Sequence, residues 1–226
     1  VASEVEVLYT DNHLIAVNKR SGQIVQGDKT GDAPLSELVA NYLSVTFNKP
    51  GAAFIGVIHR IDRPVSGVVL FARTGKGLSR LNEQFRDRKV SKTYWALVEG
   101  TPSEDSGVLV HYLSKNEEQN RSRALSEPRD GYLRCELSFK VIKTLDRYTL
   151  LEVNPLTGRH HQIRVQLSAK GWPIKGDVKY GARRGNTDRS ICLHARSLTF
   201  IQPVTSEIIT VTAPLPGTEA WIRLSL

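Results

Sequence analysis

Short β-rich runs recur along this chain, separated by glycine, proline, asparagine and aspartate, and that pattern requires an architecture built on a many-stranded sheet. The runs fall at 5–9, 13–18, 68–72, 93–98, 107–113, 133–142, 148–153, 191–201 and 208–211. The first two flank the turn pair Asp11 and Asn12 and read as a hairpin. The apolar stretch 54–58 reads as the end of another buried strand, leading into His59, Arg60, Ile61 and Asp62. Only three segments have helical spacing. Pro34 suits the first turn of a helix running to about residue 45, and Leu78, Leu81 and Phe85 share one face of a helix over 76–88. Ile163 and Leu167 suit a third helix over about 161–170, closed by Gly171 and Pro173. The polar stretch 115–131, with five charges between Glu117 and Glu127, reads as an exposed excursion between strands. No repeat, heptad or convincing linker divides the chain. The expectation is one α+β domain over 1–226, with a mixed, mostly antiparallel sheet, flanking helices and a central cleft.

Composition narrows the partners. Hydrophobic residues make up 40% of 226, enough for a proper core. No apolar run approaches the roughly 18–20 residues of a membrane span, so no membrane role is expected. Cys135 and Cys192 lack zinc-ligand spacing and nothing at the start resembles a secretory signal, so a cytoplasmic, reducing setting is expected. The net charge is +8, and it is unevenly placed: 73–94 carries +5, 159–189 carries +6, and the remainder is −3. A charge run is usually just a solvated face, but two such segments in one chain point to a polyanionic partner.

Several chemistries lack their motifs. The six histidines form no metal-ligand pattern, Gly75-Lys76-Gly77 is not a phosphate-binding loop, and no serine elbow is present. What remains is a polar cluster where apolar runs end: His59, Arg60, Asp62 and Arg63, followed by Ser66-Gly67. Alone, Asp62 is more often a turn residue than a catalytic one. Its setting changes that reading. HRIDRPVSGVVLFA (59–72) resembles the H-R-L-D-x-x-x-S-G-x-x-x-x-A block of the RluA-type pseudouridine synthases. KTYWALVEG (92–100), TGRHHQIRVQLSAKGWPIKGDVKYG (157–181), LHARSLTF (193–200) and the opening DNHLIAVNKRSGQIVQGD (11–28) are similar to further blocks of that family, in its order. The departures are Arg20 for proline, Val65 for threonine, His160 for threonine and Gln166 for histidine. RPVSG particularly resembles the R-P-T-S-G of the tRNA-directed members called TruC, and a TruC-like or RluD-like member lacking the separate N-terminal RNA-binding domain of many rRNA-directed relatives is expected.

The resemblance implies an enzyme that isomerises uridine to pseudouridine in structured tRNA or rRNA, using no metal or other cofactor. It implies Asp62 as the catalytic carboxylate, Tyr94 as the ring stacked on uracil, and Arg164 as the cation that keeps Asp62 ionised. His59, Arg60, Arg63, Lys92, Arg159, His161 and Gln162 are expected to contact RNA. A monomer without an obligatory protein partner is expected. Two other readings stay open at this level: a non-catalytic RNA-binding or RNA-folding factor on the same scaffold, and a glycosidic hydrolase, for which no second carboxylate is evident.

Overall fold

The computed structural model describes residues 5–28, 31–48 and 50–222. In chain order its elements are β1 (Val7–Thr10), β2 (Leu14–Lys19), α1 (Leu35–Thr46), β3 (Gly56–Val57), β4 (Ser66–Ala72), α2 (Gly75–Arg86), β5 (Ser91–Glu99), β6 (Ser106–Asn116), β7 (Arg121–Leu125), β8 (Leu133–Thr144), β9 (Tyr148–Pro155), α3 (Gln162–Ala169), β10 (Leu193–Ile201), β11 (Ile208–Thr212) and α4 (Glu219–Ile222). They gather into two compact units, one from residues 1–91 and 195–226 and the other from 92–194. No helix among the described residues is long and apolar enough to cross a membrane.

In the first unit the strand order is β1-β2-β4-β10, with β3 on β4 and β11 on β10. β2 lies antiparallel to β4 from Leu14↔Ala72 to Lys19↔Gly67. β4 is buried along its whole length, which accounts for its unbroken apolar sequence. α2 begins at Thr74, whose hydroxyl accepts the Gly77 N–H at 3.1 Å and satisfies one of the amides a helix start leaves open. The helix sets Leu81 into a core of Leu14, Val68, Leu70, Leu198 and Phe200. Each such burial is worth about 1.5–3 kcal/mol. α1 buries Leu35, Val39 and Leu43, one face at four-residue spacing.

The second unit runs β5-β9-β8-β6-β7, with the described pairings antiparallel. α3 packs with β6 and β7. Unlike the other helices it is buried on every side from Gln162 to Leu167, so its polar residues must find partners inside the protein.

Two expectations are corrected. The stretch 54–58 yields only the two-residue β3, because the chain joins β4 at Gly56, under the Leu78 side chain, and leaves it after Val57; Phe54 lies before the strand and is 52% exposed. The stretch 115–131 contains strand β7, hairpinned onto β6 from Tyr112↔Leu125 to Asn116↔Arg121. Its inward-facing residue is Ser122, so no apolar alternation marks it in the sequence.

Gly67 tolerates no side chain. Its φ is +115°, and a Cβ there would stand 2.2 Å from the Ala195 carbonyl oxygen. Gly67→Ala is expected to destabilise the protein by more than about 2 kcal/mol, read as a lowered urea midpoint at unchanged slope. A midpoint within error of the parent contradicts this packing.

Candidate active site

Asp62 lies half-buried in the tight connection between β3 and β4. The Asp62 carbonyl accepts the Val65 N–H at 3.0 Å, closing a turn over Arg63 and Pro64. A second device holds this turn. Lys19, at the end of β2, is 0% exposed, and its ammonium donates to three backbone carbonyls: Gln23 at 2.7 Å, Arg20 at 3.0 Å and Arg63 at 3.1 Å. All three N–H groups are therefore used. The Arg63 carbonyl also accepts the Gly22 N–H at 2.8 Å, so the residue after Asp62 is tied twice to the loop following β2. Burial lowers the Lys19 pKa from the usual 10.5 to about 7, opposed by the Asp62 carboxylate and reinforced by the Arg63 cation.

The neighbours of Asp62 divide by exposure. Arg60 and Arg63 reach solvent, and Arg63 donates to Asp32 at 2.6 Å in a surface pair of little energetic weight. His59 faces inward: its Nε2 accepts the Leu70 N–H at 3.0 Å and its ring stacks on Phe85 with centroids 5.1 Å apart.

In the second unit Tyr94 and Lys92 lie half-buried on one face of β5, with Val153 of β9 opposite Tyr94. β9 leads through the turn 156–161 into α3. Gln162 organises this turn although only 4% exposed: its Oε1 accepts from the Thr157 hydroxyl at 2.8 Å and the Arg159 N–H at 3.0 Å, and its Nε2 donates to the Glu136 carbonyl at 3.1 Å. His161, left-handed at φ 53°, caps α3 from inside the protein. Its Nδ1 is 2.8 Å from the Tyr180 hydroxyl. Burial and then the Arg164 charge push its pKa down to about 2, so the ring stays neutral. Gln162 and His161 thus sit in the scaffold of the turn, while Arg159 is exposed beyond it.

One turn into α3, Arg164 forms a two-point ion pair with Asp177: Nε to Oδ2 at 2.7 Å and NH2 to Oδ1 at 2.9 Å, the side chains 6% and 1% exposed. The Tyr180 ring lies under the guanidinium, 5.0 Å from its centre. Arg164 is thus held by partners within the protein. Asp177 and Tyr180 belong to the GDVKYG stretch, which the sequence reading matched as a block without giving these residues a role.

Two of the family departures have structural places. His160 lies 2.8 Å from the Ser122 hydroxyl through Nδ1 and 3.1 Å from Asn120 Oδ1 through Nε2, fastening the β6–β7 hairpin to the turn before α3. Gln166, fully buried, donates to the Leu109 carbonyl and to His111 Nδ1, both at 3.1 Å. Lys19, Asp177, Tyr180 and Ser122 were invisible as site residues in the sequence because their role depends on long-range partners.

Asp177→Ala strands a buried guanidinium, and a loss of about 3–5 kcal/mol in unfolding free energy is expected by denaturant titration. A loss below about 1 kcal/mol contradicts the assignment. Lys19 makes a pH prediction. Its folded pKa lies below its unfolded one, so between about 7 and 10.5 the unfolded chain holds more protons and stability rises with pH. The gap between parent and Lys19→Met should therefore shift in the parent's favour from pH 7 to pH 10. A gap independent of pH contradicts this lowering of the Lys19 pKa by burial.

Comparison with known proteins bears on this arrangement. Residues 13–169 match the family model described as RNA pseudouridylate synthase. A ribosomal large subunit pseudouridine synthase C of Vibrio vulnificus is 34% identical over 215 residues, covering 92% of this chain and 65% of that protein. The protein of the same name from Escherichia coli K12 is 35% identical over 217 residues, covering 92% and 66%. The chain thus spans just under two thirds of the length of these relatives. Among solved structures, human RNA pseudouridylate synthase domain containing 1 superposes with a TM-score of 0.76 at 25% identity, over 98% of this chain and 87% of that one. Human RNA pseudouridylate synthase domain containing 4 shares the fold, with a TM-score of 0.77 at 24% identity over 94% and 89%. The chain belongs to the RNA pseudouridylate synthase family.

Proposed function

We propose that this chain isomerises uridine to pseudouridine in structured RNA, with Asp62 as its catalytic carboxylate. The observation that carries the reading is the fixed Asp62 turn, anchored through the Lys19 ammonium in a chain whose family acts on RNA uridines. The reaction breaks the bond from ribose C1′ to uracil N1, turns the base and joins C1′ to C5. The hydrogen on C5 leaves as a proton and N1 gains one, so atoms and electrons balance without an external oxidant or reductant. Such chemistry asks for a carboxylate beside the sugar or base and a surface to hold the detached uracil.

Asp62 supplies the carboxylate. Tyr94 is assigned the stacking face, and Arg164, held by Asp177, the role of the catalytic cation. Arg60, Arg63, Lys92 and Arg159 are assigned to the RNA backbone, while His59, His161 and Gln162 hold the loops that present them. A uridine in structured RNA must leave its stack at a cost of a few kcal/mol, which backbone contacts offset. The names of the relatives put large-subunit ribosomal RNA first among the substrates to try.

RNA labelled with tritium on uracil C5 tests the proposal, because isomerisation releases that label to water. Release by the parent and its loss by more than about 1000-fold in Asp62→Asn are expected. Equal release by both proteins, or none from ribosomal RNA and tRNA alike, sinks it; tight RNA binding without release would favour a binding factor.

A further inference from the structure

We propose that Lys92, whose ammonium lies against Gly158, binds one phosphate of the RNA backbone beside the uridine held on Tyr94, with the exposed Arg159 of the same turn as a second cation for that backbone. This rests on the isomerase reading for the identity of the nucleotide, but not for the existence of the anion site.

Lys92 begins the face of β5 that carries Tyr94, and its backbone is fixed: Asn154 Nδ2 donates to the Lys92 carbonyl at 3.3 Å and to the Thr93 hydroxyl at 2.9 Å. The ammonium reaches the turn before α3, where a Cβ on Gly158 would lie 3.8 Å from Nζ. With only hydrogen at that position the ammonium stays uncovered, and any longer side chain would lie across it. The next residue, Arg159, is exposed and its backbone N–H is held by Gln162. Among the described residues neither cation has a hydrogen-bonding or ion-pair partner for its charged group.

That is an unusual state for Lys92. Burial disfavours its charge, and no carboxylate opposes the effect. Lys19 and Arg164, the other buried cations described above, are both satisfied within the protein. A half-enclosed ammonium facing a glycine, in a turn whose next residue is an exposed arginine, suits a tetrahedral anion approaching the backbone closely. Two residues along a strand span about 7 Å, comparable to the reach from a stacked base to its own backbone phosphate. Lys92 therefore stands one phosphate away from a base on Tyr94, which makes a single specific phosphate a better occupant than a diffuse counterion cloud.

Steady-state tritium release and equilibrium binding to a short RNA stem-loop, both across a salt series, test the phosphate site with Lys92→Met, Lys92→Arg, Arg159→Ala and Gly158→Val. Lys92→Met should raise KM roughly tenfold or more with kcat within about twofold, and lower the steepness of log affinity against log salt by about 0.7–0.9. Lys92→Arg should restore the slope, and Gly158→Val should mimic Lys92→Met by covering the ammonium. Arg159→Ala, a surface change safe for folding, should lower the slope by a similar amount. Unchanged KM and slope in Lys92→Met and Arg159→Ala overturn the proposal, as does a fall in kcat with KM constant. If the parent releases no tritium the isomerase reading fails, while the binding slopes still decide whether the anion site exists.

Discussion

The Lys19 ammonium is the interaction on which the Asp62 turn depends. A lysine at 0% exposure is costly, and the cost is tolerated because three carbonyls from two loops converge on one nitrogen. With it, the loop after β2 and the connection from β3 to β4 share a buried anchor, alongside the Gly22 to Arg63 bond and the surface pair of Arg63 with Asp32. The second unit repeats the logic with a different pair. Arg164 is buried against Asp177 and over Tyr180, so its guanidinium is fixed by the protein's own groups. In both places a buried charge fixes geometry at some expense of stability, a pattern found where preorganisation matters more than packing energy.

The parts of the fold written in local pattern were legible in the sequence. α2 follows from Leu78, Leu81 and Phe85, and β4 from its apolar run; both appear within two residues of their expected bounds. β7 was not legible, because Ser122 takes the inward position usually held by an apolar residue and is satisfied by His160 and Tyr180, far along the chain. α3 was legible as a helix from Ile163 and Leu167, yet its complete burial was not, since Gln162, Arg164 and Gln166 look like a solvated face until their partners are known. Asp62, Tyr94 and Arg164 were named from resemblance between sequence blocks. Their supports, Lys19, Asp177 and Tyr180, could be found only from three-dimensional contacts.

The residues expected to touch RNA separate into two roles. Arg60, Arg63 and Arg159 project into solvent, whereas His59, His161 and Gln162 are committed to neighbouring backbone and ring groups. A sequence block that serves one purpose in evolution need not do so residue by residue: in RHHQIR (159–164) the arginines bracket the motif, and the residues between them build the turn that presents both. The basic excess over 159–189 is likewise not one surface. Arg164 belongs to the interior, while Lys179, Arg183, Arg184 and Arg189 stay outside.

The central proposal is that Asp62 serves a shift of the bond from ribose C1′ between uracil N1 and C5, without release of the base to solvent. The most direct measurement is the nucleoside composition of RNA digested after treatment with the parent protein or with Asp62→Asn. The account predicts pseudouridine gained one for one with uridine lost in the parent reaction, and unchanged RNA with the variant. Free uracil and an abasic ribose in place of pseudouridine, or identical products from both proteins, would contradict it.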